Sequence, residues 1–305
     1  MHSYQMPFSK FLPIEADCGL FHLIFQNRVS LPFRPRNMEW ITKKHWIVLP
    51  GLLLLLFVAN LSLGSVRIPW LEVIGILSGK GSSNPVWTDI IWDFRMTKAL
   101  TCILAGGALA IAGLQMQTLF RNALAGPDVL GLSSGASLLV SLLLMSQASG
   151  FAMSFASSPW AVAGAASIGS SLVFLLIVAI SHRLRDNTSL LIIGLMIGAA
   201  TSSIVSVLQF LSKAEELQPY LFWTFGNLGA LNWIEIQVLS MIVLAGTLIA
   251  VFSTRSLNAF LLGDNYAQSI GVNISKSRFL IILSTSLLAG GVTAFCGPIA
   301  FVGLA

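Results

Sequence analysis

The side chains that could do chemistry in this 305-residue chain are few and far apart. Cys18, Cys102 and Cys296 are an odd number of cysteines without the spacing of metal ligands, so we expect neither a disulfide framework nor a zinc site. The four histidines stand away from any Ser/Asp or Cys partner that could act with them in catalysis. We therefore predict no catalytic residue, no metal ligand, no cofactor and no enzyme activity.

The elements that carry these residues are predicted to be membrane-spanning helices. The chain is 55% hydrophobic and 10% charged, whereas a soluble domain carries about 25% charged residues. Apolar windows of the ~20 residues that cross a bilayer predict seven spans: 46–64, 99–120, 129–148, 158–181, 188–212, 234–253 and 279–296. Because the backbone must bond internally in lipid and the windows do not alternate, we predict an all-α, polytopic transmembrane helix bundle.

The predicted transmembrane domain covers residues 46–305 and follows a more polar N-terminal segment, 1–45. No signal-peptide pattern is visible. Met38 is an alternative start, which would make residues 1–37 a misassigned extension. The apolar stretch 297–305 is too short to cross a membrane, so we expect the domain to be incomplete at its C-terminus.

The distribution of basic residues predicts the orientation. With the N-terminus in the cytoplasm, five of the chain's 17 Lys and Arg residues fall in outer segments: Arg67, Lys80, Arg95, Lys98 and Lys213. Cytoplasmic loops carry an excess of Lys and Arg. The bias therefore favours a cytoplasmic N-terminus.

The chain lacks the residues with which a transporter drives itself. No predicted span has a centrally placed Asp, Glu, Lys, Arg or His, which argues against a proton pump, an ion-driven carrier or a voltage sensor. The string closest to a phosphate-binding loop, Gly75 to Gly81, has one residue too few between its glycines and no Ser or Thr after Lys80. Uphill transport would therefore need a separate ATPase subunit.

Small residues recur at four-residue spacing in the fifth predicted span, at Gly194, Gly198, Ser202 and Ser206. Such residues let helix backbones approach closely in lipid. Static packing is one interpretation of the pattern. The other is that an uncharged face with hydroxyl groups lines the translocation path of a bulky solute.

A short inner segment between the last two predicted spans is bounded by Gly263 and Gly271. Asp264 can cap a helix of about two turns there, and Gly271 can end it. A short helix on the inner membrane face suits contact with a partner protein, although an ordinary amphipathic connector would show the same pattern.

Four strings of the chain resemble the permeases of the FecCD type, a family of ABC importers for iron siderophores, haem and cobalamin. Together they cover roughly residues 46–305 in the family's order. They are Arg95-Met96-Thr97-Lys98, where the family has Arg-Leu-Pro-Arg; the small-residue helix from Leu104 to Gln117; Arg121 to Pro127 with Leu130-Gly131, where Ala123 replaces Pro; and Leu262-Gly263, Ala267 and Gly271 followed by Gly297 to Leu304.

The resemblance implies an inner-membrane permease with ten spans per subunit. It also implies a homodimer with cytoplasmic ATPase subunits, supplied with a metal chelate by a periplasmic binding protein, and no nucleic acid partner. Arg95 and Lys98 match the positions that pair with acidic residues of the binding protein. Leu262, Gly263, Asp264, Ala267 and Gly271 match the loop that docks into the ATPase. The family continues beyond Leu304 into further helices, whereas this chain stops at Ala305.

The leading hypothesis is thus an ABC permease that imports a ferric siderophore, haem or a similar iron chelate. Cobalamin is the nearest alternative cargo. A seven-helix receptor without transport fits the span count but gives no reason for the 262–271 pattern, and a membrane-bound enzyme fits least.

Overall fold

The computed structural model of the chain describes residues 38–79, 84–145, 158–181 and 187–304. Several predictions concern residues outside these ranges. They include the N-terminal extension 1–37 with Cys18, the end of the third predicted span at 146–148, the basic inner loop 182–186 and the outer Lys80.

The described part of the chain is helical, with turns between the helices and no strand among the described residues. The helices in chain order are α1 (Met38–Ser62), α2 (Trp70–Leu77), α3 (Pro85–Phe120), α4 (Leu132–Met145), α5 (Pro159–Ser181), α6 (Asn187–Leu211), α7 (Ala214–Thr224), α8 (Trp233–Leu261), α9 (Asp264–Ser269) and α10 (Ile274–Cys296). Two 3₁₀ helices, Pro127–Leu130 and Val302–Leu304, complete the described elements.

The chain divides into two compact units at Leu56. Among the described residues, the first unit contributes the N-terminal part of α1, where Leu52 to Leu56 form an exposed apolar run. The second unit, Phe57–Ala305, contains all the other described elements.

Five described helices are long and apolar enough to cross a membrane: α3, α5, α6, α8 and α10. The remaining two predicted spans correspond to shorter apolar helices, Val48–Ser62 and Leu132–Met145. The predicted all-α, polytopic bundle is confirmed. The third span begins later than predicted because Gly131 adopts a left-handed conformation (φ 72°) and Leu132 is the first residue of α4.

Much of the segment between the first two predicted spans, residues 65–98, is helical, although no helix was predicted there. The Asn84 side chain accepts a hydrogen bond from the backbone N–H of Val86, and Pro85 supplies the fixed φ of a first helical residue. The helix that starts there continues through a π-helical turn, Ile90–Met96, into Thr97–Phe120. This extension was not predicted, because polar residues such as Asp89 and Asp93 lower the hydrophobicity of the segment.

Close contacts at glycine residues bring the helices of the bundle together. A Cβ atom added to Gly169 of α5 would lie 2.1 Å from the carbonyl oxygen of Gly135 in α4. A Cβ atom on Gly246 of α8 would lie 2.7 Å from the side chain of Leu288 in α10. Glycine at these positions lets the helices pack against each other, as expected for small residues in membrane helices.

A buried polar cluster joins three helices near the middle of the bundle. Gln115 of α3 donates to the hydroxyl of Ser284 at 3.0 Å and accepts from the hydroxyl of Thr285 at 3.0 Å. Ser284 donates in turn to the carbonyl of Gly246 at 2.8 Å. Since buried polar groups need partners, this chain of hydrogen bonds fixes α3, α8 and α10 relative to one another.

Candidate functional site

The second unit has two ends, which we name by a basic residue at each. At the Lys98 end, a Cβ atom on Gly229 would lie 3.5 Å from Lys98 Cδ. The backbone N–H of Asn227 donates to the carbonyl of Cys296 there at 2.7 Å. At the Arg121 end, Arg121 follows the last residue of α3 and reaches α9.

The short helix predicted between Gly263 and Gly271 is confirmed as α9. Both glycines have positive φ, 108° and 87°, where a side chain would be strained. The N–H groups of Gly271 and Val272 donate to the carbonyls of Gln268 and Ala267 at 3.0 Å and close the helix. The N-cap residue is Gly263 rather than the predicted Asp264, which is the first residue of α9.

Asp264 instead bridges two arginines from different parts of the chain. Its Oδ1 lies 3.6 Å from Nη2 of Arg121, and its Oδ2 lies 3.2 Å from Nη2 of Arg278 in α10. The exposed fraction of the side chain is 48% for Arg121 but only 5% for Arg278. This pairing could not be predicted from the sequence, because the three residues lie on separate segments.

The surface of α9 is divided between a buried and an exposed side. Ala267 is fully buried in an apolar cluster that also contains Phe120, Phe260 and Ile281. Four large residues on and beside α9 are exposed, by 47–66%. We call them the α9 patch: Leu261, Leu262, Tyr266 and Ile270. Exposed apolar side chains in a membrane protein contact either lipid or a partner protein.

The two residues predicted to dock a binding protein are placed very differently at the Lys98 end. Arg95 is 7% exposed, and its guanidinium donates to the carbonyl of Leu61 at 2.6 Å and to that of Val66. Lys98 is exposed. Arg95 thus satisfies backbone carbonyls at the end of α1 and in the segment that follows it, whereas Lys98 can meet a partner.

A cavity of about 540 Å³ opens near the Lys98 end between α4, α5, α7, α8 and α10. Glu215 and Glu235 lie on its wall with Trp223. Glu235 is 6% exposed and accepts a hydrogen bond from the backbone N–H of Asn232 at 3.0 Å. This cavity was not predicted from the sequence, because no helix was expected at α7, which supplies part of its wall.

The four small residues of the predicted translocation stripe do not share one environment. Gly194 is buried, and a Cβ atom on it would lie 2.5 Å from the carbonyl oxygen of Val129. Gly198 is half-buried, whereas Ser202 and Ser206 are exposed. Residues four apart on an α-helix turn by about 40° per step, so the stripe winds from a packed face to an open one.

A second cavity of about 390 Å³ lies between α5 and α10. Its wall carries the hydroxyls of Ser167, Ser170, Ser171 and Ser286. The structure therefore places hydroxyl groups on two surfaces of the bundle, on α6 and in this groove. Within the described ranges, no group of three or more His, Cys, Asp or Glu residues could hold a metal ion.

Comparison with known proteins identifies the family. The model of the FecCD transport family matches residues 52–305. The chain belongs to the FecCD transport family. The predicted resemblance to FecCD-type permeases is thereby confirmed, and membership of a transport family decides against the seven-helix receptor.

Several curated FecCD-type permeases are similar to the chain. The hemin transport permease HmuU of Yersinia pestis is 33% identical, over 83% of this chain and 75% of HmuU. The ferric enterobactin transport permease FepD of Escherichia coli is 33% identical, over 85% of this chain and 76% of FepD. The vitamin B12 import permease BtuC of Vibrio cholerae is 32% identical, over 71% of this chain and 63% of BtuC.

A solved structure supports the fold of this FecCD-family chain. It is described as an inward-facing conformation of a putative metal-chelate type ABC transporter, with a TM-score of 0.73 and 25% identity. The match covers 86% of this chain and 79% of the other. The chain is thus a multi-pass transmembrane permease of the FecCD family.

Proposed function

We propose that this chain is the permease subunit of an ATP-driven importer that moves a ferric siderophore, haem or a similar iron chelate into the cytoplasm. The observation that carries the proposal is the family match over residues 52–305. Permeases for hemin and for ferric enterobactin are each 33% identical to the chain. The long apolar spans without central charges fit a path for a solute that brings its own ligands.

The energy would come from ATPase subunits that contact the α9 patch. The patch exposes apolar side chains at a protein end where the neighbouring residue Ala267 is buried. Because apolar side chains outside the membrane are unfavourable in water, a partner that covers the α9 patch is favoured. This assignment places the Arg121 end, with α9 and Asp264, in the cytoplasm and is consistent with an N-terminus inside the cell.

The Lys98 end would then face the periplasm, outside the inner membrane, and meet the binding protein. Lys98 is exposed there and can pair with an acidic residue of that protein. Arg95 would act indirectly, because its buried guanidinium holds the backbone at Leu61 and Val66. Lys98 offers a point charge without the planar fork of Arg, so the pairing would be less directional.

The translocation path would lie between two copies of the chain, along α6. Of the five long spans, α6 is the least buried, at 22% of its most apolar window. Ser202 and Ser206 are on its open side. Hydroxyl groups on the open side of this helix are better suited to a homodimer interface with a path than to lipid.

Uptake in proteoliposomes tests the proposal. The chain would be reconstituted with the ATPase and binding protein of its own organism, and the uptake of ferric enterobactin, haemin and cobalamin measured with and without ATP. We expect ATP-dependent accumulation of an iron chelate. Accumulation of cobalamin alone would establish the alternative cargo, for which the 32% identity to BtuC is the support. Accumulation that needs no ATPase would contradict the proposal.

A further inference from the structure

We propose that Asp264 is a positioning residue, which locks α9 to the inner ends of α3 and α10 by bridging Arg121 and Arg278. The lock makes α9 move with these two spans, so that ATP hydrolysis and transport are coupled. The inference rests on the proposed function, since it assigns the α9 patch to the ATPase contact.

The burial of Arg278 shows why the bridge is needed. Its side chain is 5% exposed, and a charged group removed from water is strongly unfavourable without an opposite charge. Oδ2 of Asp264 supplies that charge at 3.2 Å. The other oxygen of the same carboxylate faces Arg121 at 3.6 Å. One side chain of α9 therefore joins the C-terminal end of α3 to the beginning of α10.

The backbone on both sides of the bridge is adapted to it. Arg121 has a left-handed conformation (φ 49°), which is unfavourable for a residue with a Cβ atom. Gly263, just before Asp264, has φ 108°, and a Cβ atom there would lie 3.4 Å from Nη1 of Arg121. The positive φ of Gly263 thus disfavours a side chain at the position that faces the guanidinium.

The two spans that meet at Asp264 are also joined farther along the bundle. Gln115 of α3 exchanges hydrogen bonds with Ser284 and Thr285 of α10. These two spans consequently form a pair with a fixed mutual position, and Asp264 attaches α9 to both members of it. The α9 patch, on the exposed side, is left for the ATPase.

Two substitutions break the bridge to different extents. Asp264→Asn keeps the shape of the side chain and removes both ion pairs, whereas Arg121→Gln removes the more exposed pair and leaves Arg278 with its partner. Arg255→Gln is the matched control, because Arg255 is exposed and makes no ion pair with a residue that the structure describes.

The coupling test uses the complete transporter in proteoliposomes. For Asp264→Asn and for Arg121→Gln, we expect at least a tenfold fall in chelate transported per ATP hydrolysed, while the affinity for the ATPase changes less than threefold. The double variant should be no worse than Asp264→Asn, since residues that act as one unit are not additive. Arg255→Gln should match the wild type. Parallel losses of ATPase binding and transport, or additive losses in the double variant, would overturn the proposal.

Hydrogen exchange tests the lock without any partner. In the purified chain, amides of residues 264–271 should exchange at least tenfold faster in Arg121→Gln than in the wild type or Arg255→Gln. Unchanged protection would refute the lock. If Asp264→Asn does not fold, Arg121→Gln decides both tests. If the wild type transports no chelate, the proposed function is wrong. The hydrogen-exchange result still shows whether Asp264 holds α9 in place.

Discussion

The Lys98 end and the Arg121 end both contain arginine with little exposure, yet they satisfy it differently. Arg95 donates to the backbone carbonyls of Leu61 and Val66, which lie on one neighbouring segment. Arg278 pairs with Asp264, which also pairs with Arg121. Carbonyl groups fix a guanidinium in place, whereas a shared carboxylate joins three segments. At the Lys98 end a buried arginine therefore holds one neighbouring segment, whereas at the Arg121 end an ion-paired carboxylate connects three segments.

The largest expected change in stability comes from removing the buried guanidinium of Arg95. Arg95→Met leaves two carbonyls without their charged donor, and we expect a loss of about 3 kcal/mol of unfolding free energy, since bonds to charged groups are worth about 1.5–3 kcal/mol each. Arg67→Met at the same end should change little, because Arg67 is exposed. Unfolding of the purified chains in mixed detergent micelles measures both. Equal stabilities would break the distinction between an anchored and an exposed arginine.

The next largest change in stability is expected at the close contact between α4 and α5. Gly169→Ala places a methyl group against Gly135 and should destabilise the chain by about 2 kcal/mol, as overpacking does. Gly164→Ala is the control on the same helix, because a Cβ atom there meets nothing within 4 Å. The same unfolding assay applies. Unchanged stability of Gly169→Ala would show that the close contact between Gly169 and Gly135 is not needed for the packing of α4 against α5.

The docking role of Lys98 can be tested by reversing its charge. Lys98→Glu should weaken binding of the periplasmic protein by about tenfold, which corresponds to about 1.4 kcal/mol. Lys276→Glu makes the same charge change on an exposed residue at the Arg121 end and should leave that binding unchanged. Titration of the binding protein onto nanodisc-embedded chain provides the measurement. Equal weakening by both variants would remove the distinction between the ends.

The smallest effect belongs to the polar cluster between the ends. Gln115→Leu removes the bonds to Ser284 and Thr285 and should cost about 1 kcal/mol, in line with hydrogen bonds between membrane helices. Gln209→Leu is a suitable control, because Gln209 is half-buried and makes no side-chain bond with a described residue. If the control loses as much in the unfolding assay, the cluster does not join α3 to α10.

The spans were predictable because length and apolar composition decide what crosses a bilayer. Two of them, α5 and α6, were predicted to within one residue of their observed limits, and α9 was predicted from its two glycines. Two helical segments were not predicted. Charged residues obscured the extension of α3 before Thr97, despite the helix-start signal Asn84-Pro85, and the acidic residues and proline of α7 obscured that helix. These elements owe their conformation to capping and packing rather than to hydrophobicity.

The environments of the site residues were less predictable than the helices. Nothing in the string from Arg95 to Lys98 shows that one basic side chain turns inward and the other outward, because the difference depends on carbonyls about 30 residues earlier in the chain. The partners of Asp264 were hidden for the same reason. Sequence spacing describes neighbours along one helix, whereas these contacts join segments that only the folded bundle brings together.

The length of α3 has a consequence for the choice of lipid. Its 36 residues extend for about 54 Å at 1.5 Å per residue, well beyond a hydrocarbon layer of about 30 Å. Lys98 lies about 33 Å along the axis from Phe120, at the level where acyl chains give way to headgroups. The thickness of the bilayer should therefore determine how exposed the ammonium group of Lys98 is to water. Lipids with longer acyl chains should bury it in the headgroup region.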